Sequence, residues 1–118
     1  MKILVIDDNV EITTMLSEFL NSKGFETVVA NDPMDGLRHI QQEQYDVILL
    51  DLFMPVISGI TIIDSLATDE ILKNQNIFIF SATPSGVIEI RNLLRKDGIN
   101  GYLKKPIQLN ELLTAITS

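Results

Sequence analysis

Four short segments of the chain carry the residue types that could do chemistry. Asp7 and Asp8 stand side by side after the apolar run Ile3 to Ile6, and Asp51 closes the run Val47 to Leu50. Ser81 closes Ile77 to Phe80, and Lys104-Lys105 lead into Pro106. Crowded carboxylates repel one another, and a cation would stabilise each. Oxygen donors without a Cys or His cluster suit Mg²⁺, which keeps several waters, better than Zn²⁺. A lysine supplies a mobile point charge for phosphate oxygens, and a hydroxyl can donate to another. Carboxylate nucleophile, divalent metal, ammonium and hydroxyl together make a phosphoryl-transfer site, provided the fold brings the four segments together.

The pattern between these segments supplies such a fold. Short apolar runs alternate with amphipathic stretches. The runs Ile3 to Ile6, Phe25 to Ala30, Val47 to Leu50, Ile77 to Phe80 and Gly101 to Lys104 read as strands. Ile12, Met15, Leu16, Phe19 and Leu20 recur on one helical face, with Gly24 as a left-handed stop. Asp32-Pro33 opens a helix through about Gln42 as N-cap and first helical residue. Ile60, Ile63, Leu66 and Ala67 mark a third helix, after a loop holding Pro55 and Gly59. The stretch Asp69 to Asn76 reads equally as helix or loop. Pro84 and Gly86 break the chain before Val87, Ile90, Leu93 and Leu94, a helix closed by Gly98. Leu109, Leu112, Leu113 and Ile116 mark the last helix. Right-handed helical crossovers join parallel strands, so the expected class is α/β. The expected architecture is a flavodoxin-like doubly wound five-stranded parallel sheet of order 2-1-3-4-5, with five helices. Such sheets bind ligands beyond the carboxyl ends of their strands, where all four segments end.

Composition bounds the rest. The 118 residues suit a single domain spanning 1–118. No cysteine is present, which excludes a disulfide scaffold, a thiolate zinc site and a cysteine nucleophile. The single histidine, His39, excludes a multi-histidine metal site and reads as a surface or partly packed residue. Met15, Met34 and Met54 read as packing or loop residues. Sixteen acids against nine bases give a net charge of -7, which argues against direct nucleic-acid binding. Apolar runs of four residues are too short for a signal-peptide core or membrane span, so a cytoplasmic location is expected.

Taken singly, each candidate has a plainer reading. An acidic pair at a strand end ordinarily starts a helix, and Asp51 could cap its loop. Lys104-Lys105 could be solvated charge and Ser81 a turn residue. Tyr102 could cover the sheet edge with its hydroxyl in water. Their coincidence at successive strand ends outweighs these readings.

From end to end the chain resembles a response-regulator receiver domain (CheY-like) of bacterial two-component signalling. The resemblance rests on Asp7-Asp8, on Asp51-Leu52-Phe53-Met54-Pro55 with Gly59, on Ser81-Ala82, and on Gly101-Tyr102-Leu103-Lys104-Lys105-Pro106. It implies that Asp51 is the phosphoacceptor for a phosphohistidine of a sensor histidine kinase or phosphotransfer protein. It implies Mg²⁺ held by Asp8, by Asp7 directly or through water, by Asp51 and by the Phe53 carbonyl. Lys105 rather than Lys104 would contact the phosphoryl group, across a cis bond to Pro106. Ser81 and Tyr102 would follow the phosphoryl group inward and pass its state to the face of helix four, strand five and helix five. A downstream effector would read that face, which also leaves open a homodimer. Such a chain is a switch that catalyses only its own phosphorylation and dephosphorylation, rather than an enzyme.

Phe53 and Thr83 occupy positions that tune phosphoryl lifetime in that family, and neither offers an acid or amide. Slow autodephosphorylation is therefore expected. Three other readings compete. A phosphorylation-independent interaction module would have lost the acceptor, acidic pair or lysine. A flavodoxin-like cofactor binder would place a phosphate loop where Asp7-Asp8 stand. A haloacid-dehalogenase-type hydrolase would need an acid where Phe53 stands.

Overall fold

The computed structural model describes residues 1–54, 58–81 and 87–117, without the side chains of 87–89. Pro55, Ala82, Thr83, Pro84 and Gly86 lie outside the described residues. The strands are β1 (Lys2–Ile6), β2 (Glu26–Ala30), β3 (Val47–Asp51), β4 (Ile77–Ser81) and β5 (Ile99–Lys104). The helices are α1 (Val10–Ser22), α2 (Pro33–Gln42), α3 (Gly59–Thr68), α4 (Val87–Leu94) and α5 (Leu109–Thr117). All neighbouring strands pair in parallel, in the order β2-β1-β3-β4-β5. This is the class and strand order that the sequence pattern predicts.

The strand sequences form a sheet because they are apolar on both faces. β3 and β4 are buried at every position, and β1 at all but Lys2. Alternation then sorts the side chains. Ile3, Val5, Val47 and Leu49 pack with Leu16 and Leu20 of α1 and Leu112 and Ile116 of α5. Leu4, Ile6, Ile48 and Leu50 pack with Ile40 of α2, Ile62, Ile63 and Leu66 of α3, and Leu93 of α4. Burying each such side chain contributes about 1.5–3 kcal/mol relative to leaving it in water. The helices therefore cover both faces and leave the carboxyl ends of the strands open.

Several local expectations change. Met15 is 43% exposed, so the buried stripe of α1 is narrower than the apolar spacing suggests. Asp69 to Asn76 is neither a helical extension nor plain loop: it holds one 3-10 turn, Leu72–Asn74. β5 begins at Ile99, two residues before Gly101, because a bulge sets Ile77 opposite Ile99 but Phe78 opposite Gly101. Gly98 does not close α4, which ends at Leu94. It feeds β5 at φ +101°, where a Cβ would lie 1.9 Å from the Leu72 carbonyl oxygen. Gly59 meets a similar limit at the other end of the sheet. Its Cβ would sit 2.3 Å from the Asp51 carbonyl oxygen. Only glycine lets α3 start this close to the end of β3, and its N–H donates to the Leu52 carbonyl (2.9 Å).

Candidate phosphoryl-transfer site

Register alone brings the candidate residues to one rim. Ile6 pairs with Leu50, so Asp7 and Asp51 follow at the same level on neighbouring strands. Asp51 pairs with Phe80, which puts Ser81 one step beyond. Ser81 pairs with Lys104, and the Lys105 N–H donates to the Ser81 carbonyl (2.9 Å).

Asp7 is fully buried, which overturns its reading as a helix-start residue. Asn9 takes that role: its side-chain oxygen accepts the N–H groups of Glu11 (2.9 Å) and Ile12 (3.3 Å). Asp7 Oδ1 accepts the Asn9 N–H (2.9 Å). Asp7 Oδ2 is buried without a hydrogen bond. Lys105 Nζ approaches it at 3.0 Å and Asp51 Oδ2 at 3.4 Å, so one ammonium lies between two buried carboxylates. The same Nζ stands 5.0 Å from the centre of the Phe80 ring. Lys104 is exposed. Asp51 is 2% exposed, and its Oδ1 accepts the Phe53 N–H (3.2 Å). The loop-capping reading of Asp51 therefore holds through Oδ1, while Oδ2 faces Lys105. The Lys105–Pro106 peptide bond is cis.

Asp7, Asp8 and Asp51 each offer a carboxylate oxygen within 4.8 Å of the others. Their electrostatics express that crowding. Burial first and the Asp7 charge second push the Asp51 carboxyl up to about 6, against the pull of Lys105 and the Phe53 N–H. Asp8 is exposed, yet its carboxyl is also raised, by partial desolvation and then by Asp7. Three converging carboxylate oxygens, from two buried residues and one exposed, fit a hard divalent cation such as Mg²⁺.

Ser81 is fully buried, and its Oγ lies 3.3 Å from the Tyr102 hydroxyl. Tyr102 therefore points its hydroxyl at the site edge rather than into water. Phe53 is 44% exposed beside Asp51. Thr83 lies outside the described residues. His39 stays away from the rim, half-buried on α2, with Nδ1 3.3 Å from the Tyr45 hydroxyl. Next to the acids, Ile12, Met15, Lys105, Pro106 and Ile107 line an apolar groove of about 350 Å³.

The sequence reading missed Asn9, Thr13 and Asn31. Asn31 Nδ2 donates to the Asp7 carbonyl and to Thr13 Oγ1, both at 2.9 Å. Asn9 had a visible signal, an amide just before the first helical residue. Asn31 had none, because its partners lie 24 and 18 residues away.

Residues 3–117 match the model of the response regulator receiver domain. The chain belongs to that family and is a receiver domain of two-component signalling, a switch in which phosphorylation on aspartate is typical. The Francisella response regulator 1452 receiver domain is 34% identical, with a TM-score of 0.85, over 98% of this chain and 93% of that one. The receiver domain of sensor histidine kinase PA1611 from Pseudomonas aeruginosa is 26% identical, with a TM-score of 0.82, over 98% of this chain and 93% of that one. That structure has a magnesium ion coordinated in its active-site cleft. The transcriptional regulatory protein CpxR homolog of Haemophilus influenzae is 33% identical over 98% of this chain and 48% of its own length. Sensor kinases and further transcriptional regulators also match, and this chain spans about half or less of those relatives. Among the described residues no helix is long and apolar enough to cross a membrane.

Proposed function

We propose that this chain is a phosphoacceptor switch in which Asp51 takes a phosphoryl group from a phosphohistidine. The donor is a sensor histidine kinase or a phosphotransfer protein. The observation that carries the reading is the convergence of Asp7, Asp8 and Asp51, each with a carboxylate oxygen within 4.8 Å of the others, beside the Lys105 ammonium. One ammonium shared by two buried carboxylates leaves negative charge that a further cation would offset. Asp7, Asp8, Asp51 and the Phe53 carbonyl would hold Mg²⁺, which when bound offsets negative charge on the carboxylates and phosphoryl oxygens.

The chain's own groups then do the rest. An Asp51 oxygen attacks phosphorus in line as the nitrogen–phosphorus bond breaks, and the electron pair leaves with the imidazole, which takes up a proton. Lys105, already against Asp51, pairs with the oxygens of the new acyl phosphate. The Ser81 hydroxyl donates to another, and Tyr102 is coupled to it through their hydroxyls. Phosphorylation adds about -1.5 to -2 charges, which reward any state that brings Ser81 and Lys105 closer. The state is read on the face of α4, β5 and α5, by an effector or by a second copy. The phosphodonor docks on the groove lined by Ile12, Met15 and Ile107, beside the acceptor. Residues 1–118 act as one domain in the cytoplasm, without direct nucleic-acid contact, in keeping with the charge of -7. Phe53 offers no base to a hydrolytic water, so the acyl phosphate is long-lived.

Acetyl phosphate with Mg²⁺ should add the mass of one phosphoryl group to the native chain and none to Asp51→Asn. Beryllofluoride should bind only when Mg²⁺ is present. The adduct should persist after desalting into Mg²⁺. Absence of any adduct would point instead to a phosphorylation-independent interaction module.

A further inference from the structure

We propose that Asn31, acting through Thr13, is a positioning residue for the acidic pair. It sets the Mg²⁺ affinity of the site without touching the ion, and this rests on the metal-binding reading above. The pairing of β1 with β2 ends at Ile6 opposite Ala30, and one further rung joins the Asp7 N–H to the Ala30 carbonyl (3.1 Å). Beyond that rung the chain of β2 turns away into the Asp32 cap of α2. The Asn31 side chain replaces the missing backbone donor, and its Nδ2 donates to the Asp7 carbonyl (2.9 Å). The second hydrogen of the same nitrogen goes to Thr13 Oγ1 (2.9 Å). Thr13 is buried on α1, and its hydroxyl in turn donates to the Val10 carbonyl (3.1 Å).

The chemistry of the partners fixes the orientation of this amide. The Asp7 carbonyl can only accept, so nitrogen must face it. Thr13 spends its one hydrogen on Val10, so its oxygen accepts from Asn31. A primary amide is the short side chain that places two donors on one atom. Aspartate has none when ionised, and serine has one. One nitrogen thus ties the ends of β1 and β2 to the first turn of α1. The peptide it grips carries the buried Asp7 carboxylate on one side and Asp8 on the other. Asn31 itself is exposed, so little of the core depends on it. Outer partners that hydrogen-bond a ligating side chain typically tune metal affinity by ten- to a hundredfold, and Asn31 holds the ligand's backbone instead.

The test measures Mg²⁺ dissociation constants by calorimetry on the unphosphorylated chain, with thermal midpoints recorded in EDTA. Asn31→Ala should bind Mg²⁺ roughly tenfold more weakly, at the low end of that range. Asn31→Ser, which keeps one donor, should recover part of the loss. Thr13→Val keeps the shape and the Asp7 bond but loses the anchor, and should fall between native and Asn31→Ala. At saturating Mg²⁺, phosphorylation of all three by acetyl phosphate should return to within about twofold of native, as expected when affinity rather than the chemical step is lost. Lower midpoints with unchanged Mg²⁺ affinity would show a merely structural role and overturn the proposal. Native chain that fails to bind Mg²⁺ would instead overturn the functional reading on which it rests.

Discussion

Asp51 shows how one side chain can be a cost to the fold that carries it. Its carboxyl is pushed up to about 6, first by burial and then by Asp7. In the unfolded chain the same group titrates near 4. The folded state therefore holds this proton more tightly. Below about pH 4 both states are protonated and that advantage is complete. As pH rises through about 6 the folded carboxyl ionises against its surroundings and the advantage is lost. Asp51→Asn stays neutral throughout. In EDTA at pH 7.5 it should be more stable than the native chain by on the order of 2–3 kcal/mol, from a shift of roughly two pH units. The gap should close as pH falls toward 4, and denaturant titrations at both pH values check it. A gap that ignores pH would assign the cost to something other than the charge. Asp8 shifts in the same direction, but it is exposed and water screens it.

Elements place that residue, and they were more legible than the contacts between them. Continuous apolar runs and period-3.6 stripes report burial, so strand and helix positions follow from the apolar pattern alone. The convergence of Asp7, Asp51, Ser81 and Lys105 follows from strand order, which the doubly wound pattern suggests, and from register, which the structure supplies. What spacing could not report was the exposure of Met15, because a methionine at the edge of the stripe packs or projects according to its neighbours. Nor could it report the bulge at Asn100 inside β5, or the bridge from Asn31 to Asp7. Those depend on long-range partners with no period. Gly59 is intermediate: its type marks a turn, but only the structure shows the Asp51 carbonyl 2.3 Å from where a Cβ would be. Gly59→Ala must push α3 away from β3. It should cost about 1–3 kcal/mol, as overpacking does. Because Asp51 and Phe53 share that strand end, it should also weaken Mg²⁺ binding. Chemical denaturation and calorimetry on the same sample read both effects. Loss of stability with intact Mg²⁺ affinity would mean that α3 moves without carrying the strand end.

For the whole molecule the question is which part of the charge of -7 belongs to the surface and which to the site. Most of the acids are spread over exposed helix faces and ends, such as Glu11, Asp32, Asp64 and Asp69. Their mutual repulsion is diffuse and falls off over the roughly 10 Å screening length of 0.1 M salt. Asp7, Asp8 and Asp51 are different, with oxygens within 4.8 Å and two of the three residues buried, where mobile ions do not screen them. Monovalent salt and Mg²⁺ should therefore act on separate populations of charge. Raising NaCl from low levels to about 0.1 M should stabilise native chain and Asp8→Asn alike, by a small increment that then levels off. Millimolar Mg²⁺ at constant ionic strength should add a further increment to the native chain only, growing as the logarithm of free ion and reaching about 2.7 kcal/mol at a hundred times the dissociation constant. Thermal unfolding across both titrations separates them. If Asp8→Asn gains as much from Mg²⁺ as the native chain does, the ion is acting on the general field, and the converging carboxylates are not its site.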